Sequence, residues 1–190
     1  MEKTSSSAQA QAREWEGAVE ALLRSTPASA AWPHLASFCA LHRYLSGIDV
    51  CELVAGEDGR PGCVRYVASH GAAPAAVAGE EDQDQEQQQQ QPEAKWAHEE
   101  LLELDDAARR LSYAVVGGNM GFGRYVATMT VVAEETMETE TETAGCRIVW
   151  EFECEPVEGW SRDGLVAYLH DALNGIAQRI EEAATAKESS

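Results

Sequence analysis

Arg147–Ile180 reads RIVWEFECEPVEGWSRDGLVAYLHDALNGIAQRI, and this stretch decides the fold. Its first part alternates, with Ile148, Trp150 and Phe152 on one face and Glu151, Glu153 and Glu155 on the other. That is the pattern of a strand with one buried and one wet face. Ser161 then stands where a helix N-cap belongs, and Leu165, Leu169, Leu173, Ile176 and Ile180 recur at steps of four and three. They form one apolar stripe along a helix expected to run to about Ala184. A half-wet antiparallel strand followed by a long helix with one apolar face predicts a sheet wrapped on that helix.

Upstream segments supply the rest of the sheet. Glu14–Leu23 reads as a first strand anchored by Trp15, Ala21 and Leu23. Thr26-Pro27 opens a short helix, with Thr26 as N-cap, Pro27 at its first position and Trp32, Leu35, Ala36 and Phe38 as its apolar side. A second short helix covers about Cys39–Leu45. Val50–Val54 and Cys63–Ala68 form a hairpin around a Gly-rich turn, and strands follow at Lys95–Leu104, Leu111–Val116, Tyr125–Val132 and Arg147–Cys154. The order has no alternating βαβ units and so predicts an α+β domain. A curved sheet closed on one helix commonly leaves a ligand cavity beneath it.

Residues 13–186 are expected to form this single domain, after a disordered lead-in at 1–12 and before a tail at 187–190. Two insertions interrupt it. Residues 70–93 pass from Ala/Gly through acids to Gln, and 134–144 repeat Glu-Thr. Neither has a periodic apolar face, so both read as disordered loops between strands. Together they hold 11 acidic residues and no Lys or Arg, so the formal net charge of −19 falls to −8 for the rest of the chain. An acidic body repels nucleic acid and anionic membrane, and neither is expected as a partner. No run of 18 apolar residues occurs, and the first residues resemble no secretory signal; a cytoplasmic location is expected.

Cys39, Cys51, Cys63, Cys146 and Cys154 are widely spaced, without CxxC or HExxH patterns. They read as small buried apolar residues, and neither a metal nor a cofactor is expected. Trp15, Trp32, Trp96, Trp150 and Trp160 read as core or cavity wall. The turn GGNMGFG (117–123) reads either as a gate or as a plain glycine-rich turn. None of the five histidines has a nucleophile partner, and His98, next to Glu99 on a strand, points to the opposite face.

Several motifs carry a family resemblance. AWPHLASFCALHRYLSGIDVCELVAGEDGRPGCVRYV (31–67), KWAHEELLELDD (95–106), GRYVATMTVV (123–132), VWEFECEPVEGW (149–160) and IAQRIEE (176–182) resemble the plant lachrymatory-factor synthases. Those belong to the helix-grip superfamily of Bet v 1-like proteins, START domains and polyketide cyclases. The likeness spans Trp15–Glu182 apart from the two insertions, which the onion-type enzymes lack. It implies a seven-stranded antiparallel sheet gripping the C-terminal helix, with two short helices after the first strand. It also implies a catalytic trio: Arg65 from GCVRYV, Glu99 from WAHE and Tyr125 from YVATM. The implied reaction rearranges an alkenyl sulfenic acid to a thial S-oxide without a cofactor, the ligand being a small hydrophobic or organosulfur molecule.

The chemistry of that trio is intelligible without the resemblance. A carboxylate in an apolar cavity is suited to take and return a proton near neutral pH. A guanidinium opposes the upward pKa shift but stabilises an oxygen that gains charge, and a phenol orients either group. Two other readings stand beside it. Charged strand residues are commonly solvated or paired on an outer face. An inward Arg–Glu pair would equally serve a carrier or sensor of a small hydrophobic metabolite.

Overall fold

The computed structural model describes residues 14–69, 94–134 and 145–188. The expected lead-in, the 70–93 insertion, all of the Glu-Thr tract except Glu134 and the end of the tail lie outside the described residues. Seven strands form one antiparallel sheet: β1 (Trp15–Leu23), β2 (Val50–Ala55), β3 (Val64–Ser69), β4 (Lys95–Asp105), β5 (Arg110–Gly118), β6 (Tyr125–Ala133) and β7 (Cys146–Cys154). Their spatial order is β1-β7-β6-β5-β4-β3-β2. Each consecutive pair from β2 to β7 is a neighbour, and the chain's first strand closes onto its last.

The C-terminal helix, α2 (Arg162–Glu188), starts and faces as its sequence predicts. The Ser161 hydroxyl accepts the Gly164 N–H at 3.0 Å, satisfying one of the free amides of the first turn. Leu165, Leu169, Leu173, Ile176 and Ile180 are all buried, against Ile148, Trp150 and Phe152 of β7 and the inward residues of β1 and β6. Each such side chain contributes about 1.5–3 kcal/mol on burial, so this stripe is the main fastening between helix and sheet. Among the described residues, no helix is long and apolar enough to cross a membrane.

The first helix departs from expectation. α1 (Ala28–Ala36) is preceded by Pro27 in the N-cap position, extended at φ −69° and ψ 155°. The Pro27 carbonyl accepts the amides of Ala30 and Ala31. Thr26 therefore does not cap: its hydroxyl is buried with no partner among the described residues. Pro33 lies inside the helix, where the ring lacks an N–H to donate, and α1 ends one turn later. Phe38, expected on this helix, instead begins a separate 3-10 segment, Phe38–Arg43, which packs against β2 and β3. The kink turns Phe38 into the core beside Tyr113, with ring centroids 6.1 Å apart.

Candidate functional site

β3 and β4 pair so that Arg65 stands directly opposite Glu99. Because strand side chains alternate, Arg65 shares a face with Val67, and Glu99 with Ala97 and Leu101, all buried. Both charges therefore point to the concave side, and the solvated outer-face alternative does not hold. Arg65 Nε and Nη2 approach Glu99 Oε2 at 2.7 and 2.6 Å. Its Nη1 donates to the Phe38 carbonyl, and its guanidinium carbon lies 3.7 Å from the Phe38 ring centroid. Arg65 is 3% exposed, whereas the Glu99 side chain is 13% exposed. Both close contacts fall on Oε2, so Oε1 of Glu99 has no protein partner among the described residues.

The third predicted residue lies in line with the pair. Glu99 pairs with Val115 on β5, and Val115 pairs with Tyr125 on β6. Arg65, Glu99, Val115 and Tyr125 thus form one row across four strands, aided by a bulge at Val116 of β5, which has no partner between the His98–Gly117 and Glu99–Val115 pairs. Adjacent strands are about 4.8 Å apart, so the backbones of Glu99 and Tyr125 are separated by about 10 Å, which a carboxylate and a phenol can largely bridge.

Tyr125 is buried, its ring parallel to Phe152 at 6.2 Å and edge-on to Phe122 at 5.0 Å. Burial raises its pKa, and the Glu99 charge adds to the rise. Tyr113, on β5 beside both, is likewise raised by burial, then by Tyr125 and Glu99. Both phenols are neutral at physiological pH and act as hydrogen-bond groups rather than as bases. The Tyr113 and Tyr125 rings are tilted against each other with centroids 6.4 Å apart. Burial alone would lower the Arg65 pKa, but Glu99 outweighs it and keeps the guanidinium charged. On α2, Tyr168 is 45% exposed and its ring packs edge-on against Trp160 with centroids 5.5 Å apart.

Tyr113, Tyr168 and the Phe38 carbonyl are not among the site residues the sequence points to. Tyr113 was within reach of it, since Leu111, Tyr113 and Val115 share parity on one strand. The others depend on packing between distant elements. Trp150, read as core or wall, is buried, and its Nε1 has no hydrogen-bond partner among the described residues. The glycine turn after β5 is anchored: Asn119 accepts the Trp96 N–H and donates to the Ala94 carbonyl.

Two grooves among the described residues lie away from the row. A groove of about 550 Å³ lies on the outer face of the β1-β7-β6 end, lined by residues including Glu16, Val126, Thr128, Glu151 and Arg162. Another, of about 520 Å³, lies between Ser25 and the last turns of α2. Neither reaches Arg65, Glu99 or Tyr125, so these grooves are not the cavity expected beneath the sheet. The inner face beside the row is occupied by Phe38, Tyr113 and Tyr125, with Glu99 at its solvent-accessible edge.

A family model described as polyketide cyclase / dehydrase and lipid transport matches residues 19–184. Among solved structures, ginseng major latex-like protein 151 from Panax ginseng is similar at 19% identity and TM-score 0.57, covering 90% of this chain and 97% of that one. The protein XoxI from Bacillus cereus is similar at 18% identity and TM-score 0.59, covering 92% and 97% respectively. At these identities the structural likeness concerns the fold.

Proposed function

The chain belongs to the polyketide cyclase / dehydrase and lipid transport family, and on that premise we propose that it binds a small, largely apolar molecule on the concave face and shifts a proton within it at Glu99. The observation that carries this reading is the arrangement of the ion pair. Arg65 is held by two contacts to one carboxylate oxygen and by a backbone carbonyl, while the other oxygen of Glu99 is left open at the solvent-accessible edge. A carboxylate fixed on one side and free on the other is positioned to accept a proton from a ligand O–H and return it to a carbon of the same ligand.

For an alkenyl sulfenic acid the bookkeeping closes without a cofactor. The O–H bond breaks, its electron pair staying on oxygen, and Glu99 takes the proton. The C=C electron pair then takes that proton back at the alkene carbon remote from sulfur, and a lone pair of the sulfur forms the C=S bond, giving the isomeric thial S-oxide. Arg65 would stabilise the oxygen as it gains charge, and the neutral Tyr125 hydroxyl would hold it in place. The likeness of the GCVRYV, WAHE and YVATM segments to the lachrymatory-factor synthases supports this substrate class.

The second reading is a carrier of a small hydrophobic metabolite, favoured by the buried, already satisfied state of Arg65. One experiment separates the two. Freshly generated alkenyl sulfenic acid is given to the wild type and to Glu99→Gln. Product above the spontaneous rate that vanishes in the variant supports the isomerase. No product, together with saturable binding of a hydrophobic fluorescent probe unaffected by Glu99→Gln, leaves the carrier.

A further inference from the structure

Away from the concave row, two thiols and a carboxylate meet where the 3-10 segment touches the β2–β3 turn. The sulfurs of Cys39 and Cys63 and a carboxylate oxygen of Asp58 all lie within 4.8 Å of one another. We propose that these three residues bind one thiophilic divalent cation of the zinc class, with water as the fourth ligand on the solvent side.

The donor set suits such an ion. Two soft sulfurs and one oxygen match a borderline-soft, tetrahedral cation and are poorly matched to calcium or magnesium, which take oxygen shells. In a tetrahedron with metal–sulfur bonds of about 2.3 Å the two sulfurs stand about 3.8 Å apart, so the three side chains need close by no more than about 1 Å. Their backbones are already held. Asp58 Oδ1 accepts the Cys39 N–H at 3.3 Å. The Cys63 amide donates to the Arg60 carbonyl, and its carbonyl accepts the Leu101 amide, each at 2.9 Å.

The turn itself is shaped around Cys63. Gly56 is in the left-handed region (φ +78°), and a Cβ there would stand 2.7 Å from Cys63 Cα. The same turn is closed by the Arg60 amide, which donates to the Glu57 carbonyl at 3.0 Å.

Access has the right polarity as well. Cys63 is buried, Cys39 half-buried and Asp58 exposed, so the site is closed behind and open on one side for an ion and a water. Cys51 stands outside the three. A Cys39–Cys63 disulfide is the competing use of this pair, but it gives no role to Asp58. Linear spacing conceals the cluster because Cys39 comes from the 3-10 segment and Asp58 and Cys63 from the β2–β3 turn.

The test uses the full chain, reduced, stripped with a chelator and titrated anaerobically with Co²⁺, then with Zn²⁺. One equivalent should bind with thiolate-to-cobalt charge-transfer bands that zinc displaces, and zinc should raise Tm. Cys39→Ser and Cys63→Ser should each abolish the bands. Asp58→Asn should weaken binding by about tenfold or more while keeping them, given that even outer-shell changes cost about 10–100-fold. Cys146→Ser, far from the cluster, should behave as wild type. If Cys63→Ser does not fold, the half-buried Cys39→Ser alone decides. Absence of the bands, or their persistence in Cys39→Ser, overturns the proposal. So does a Cys39–Cys63 disulfide formed in glutathione buffer by a protein whose reduced form takes up no cobalt.

Discussion

Glu99→Gln keeps the shape of the side chain and removes its charge, leaving the Arg65 guanidinium, whose side chain is 4% exposed, without a counter-ion. Its remaining partners would be the Phe38 carbonyl, the Phe38 ring and a neutral amide oxygen. Removing one member of a fully buried pair costs about 3–5 kcal/mol. Glu99 retains some exposure and Gln still accepts a hydrogen bond, which places this variant at the low end, about 3 kcal/mol. With a urea m-value of about 2 kcal/mol/M, the unfolding midpoint should fall by about 1.5 M. Adding Arg65→Met removes the stranded charge and fits an apolar chain between Phe38 and Tyr113, so the double variant should recover to within about 1 kcal/mol of wild type. Equilibrium urea unfolding, followed by tryptophan fluorescence and by far-UV circular dichroism, measures all four proteins. A midpoint change below about 0.3 M for Glu99→Gln refutes the reasoning. So do single effects that add to within about 0.5 kcal/mol, because the pair would then behave as solvated charges.

Three further outcomes follow from the same structure. Tyr113 and Tyr125 have pKa values raised in the folded state, so the native protein retains protons that the unfolded chain loses above about pH 10; stability should be full below that pH and fall above it by about 1.4 kcal/mol per pH unit per tyrosine. Tyr113→Phe should halve that alkaline slope in urea melts run from pH 9 upward, and an unchanged slope would count against the assignment. In the reduced, metal-free protein, Cys39, raised from 9.0 to about 12, should alkylate with iodoacetamide about 1000-fold more slowly than an unperturbed thiol at neutral pH, by mass spectrometry of the modified peptides. Leu173→Ala, at a site with no solvent exposure, should lower stability by about 2–5 kcal/mol without altering the sheet's circular dichroism, whereas a loss under about 1 kcal/mol would mean that α2 is not fastened along its apolar stripe.

The sheet and its helix were legible because their signals are periodic and local. Ile148, Trp150 and Phe152 alternate, and the leucine–isoleucine stripe of α2 repeats at helical spacing, so each element declares its buried face before any contact is known. The start of α1 was misread because Thr-Pro satisfies two start rules at adjacent positions, and only the backbone angles of Pro27 decide between them. Arg65 and Glu99 were visible as charges on apolar strands, but the register that sets them opposite each other depends on how residues on either side of a long insertion come together. The Phe38 carbonyl and the Cys39–Asp58–Cys63 cluster were illegible for the same reason: each is a meeting of short segments whose neighbours are chosen by the tertiary fold.

The strand register also bears on how this chain tolerates change. Ser69 pairs with Lys95 where β3 and β4 meet, and Ala133 pairs with Cys146 where β6 and β7 meet. Each junction is a pair of stitched feet, and the chain departing between them can lengthen or shorten without moving a single ladder bond. The entropic penalty of such growth is small, about 0.6 kcal/mol per doubling of a flexible connection. The first junction lies at the end of the sheet that carries Tyr125 and the glycine turn, the second at the end where β1 runs into α1. The described feet of the two tracts thus stand at opposite ends of the sheet, each pinned by its own ladder pair, Ser69 with Lys95 and Ala133 with Cys146.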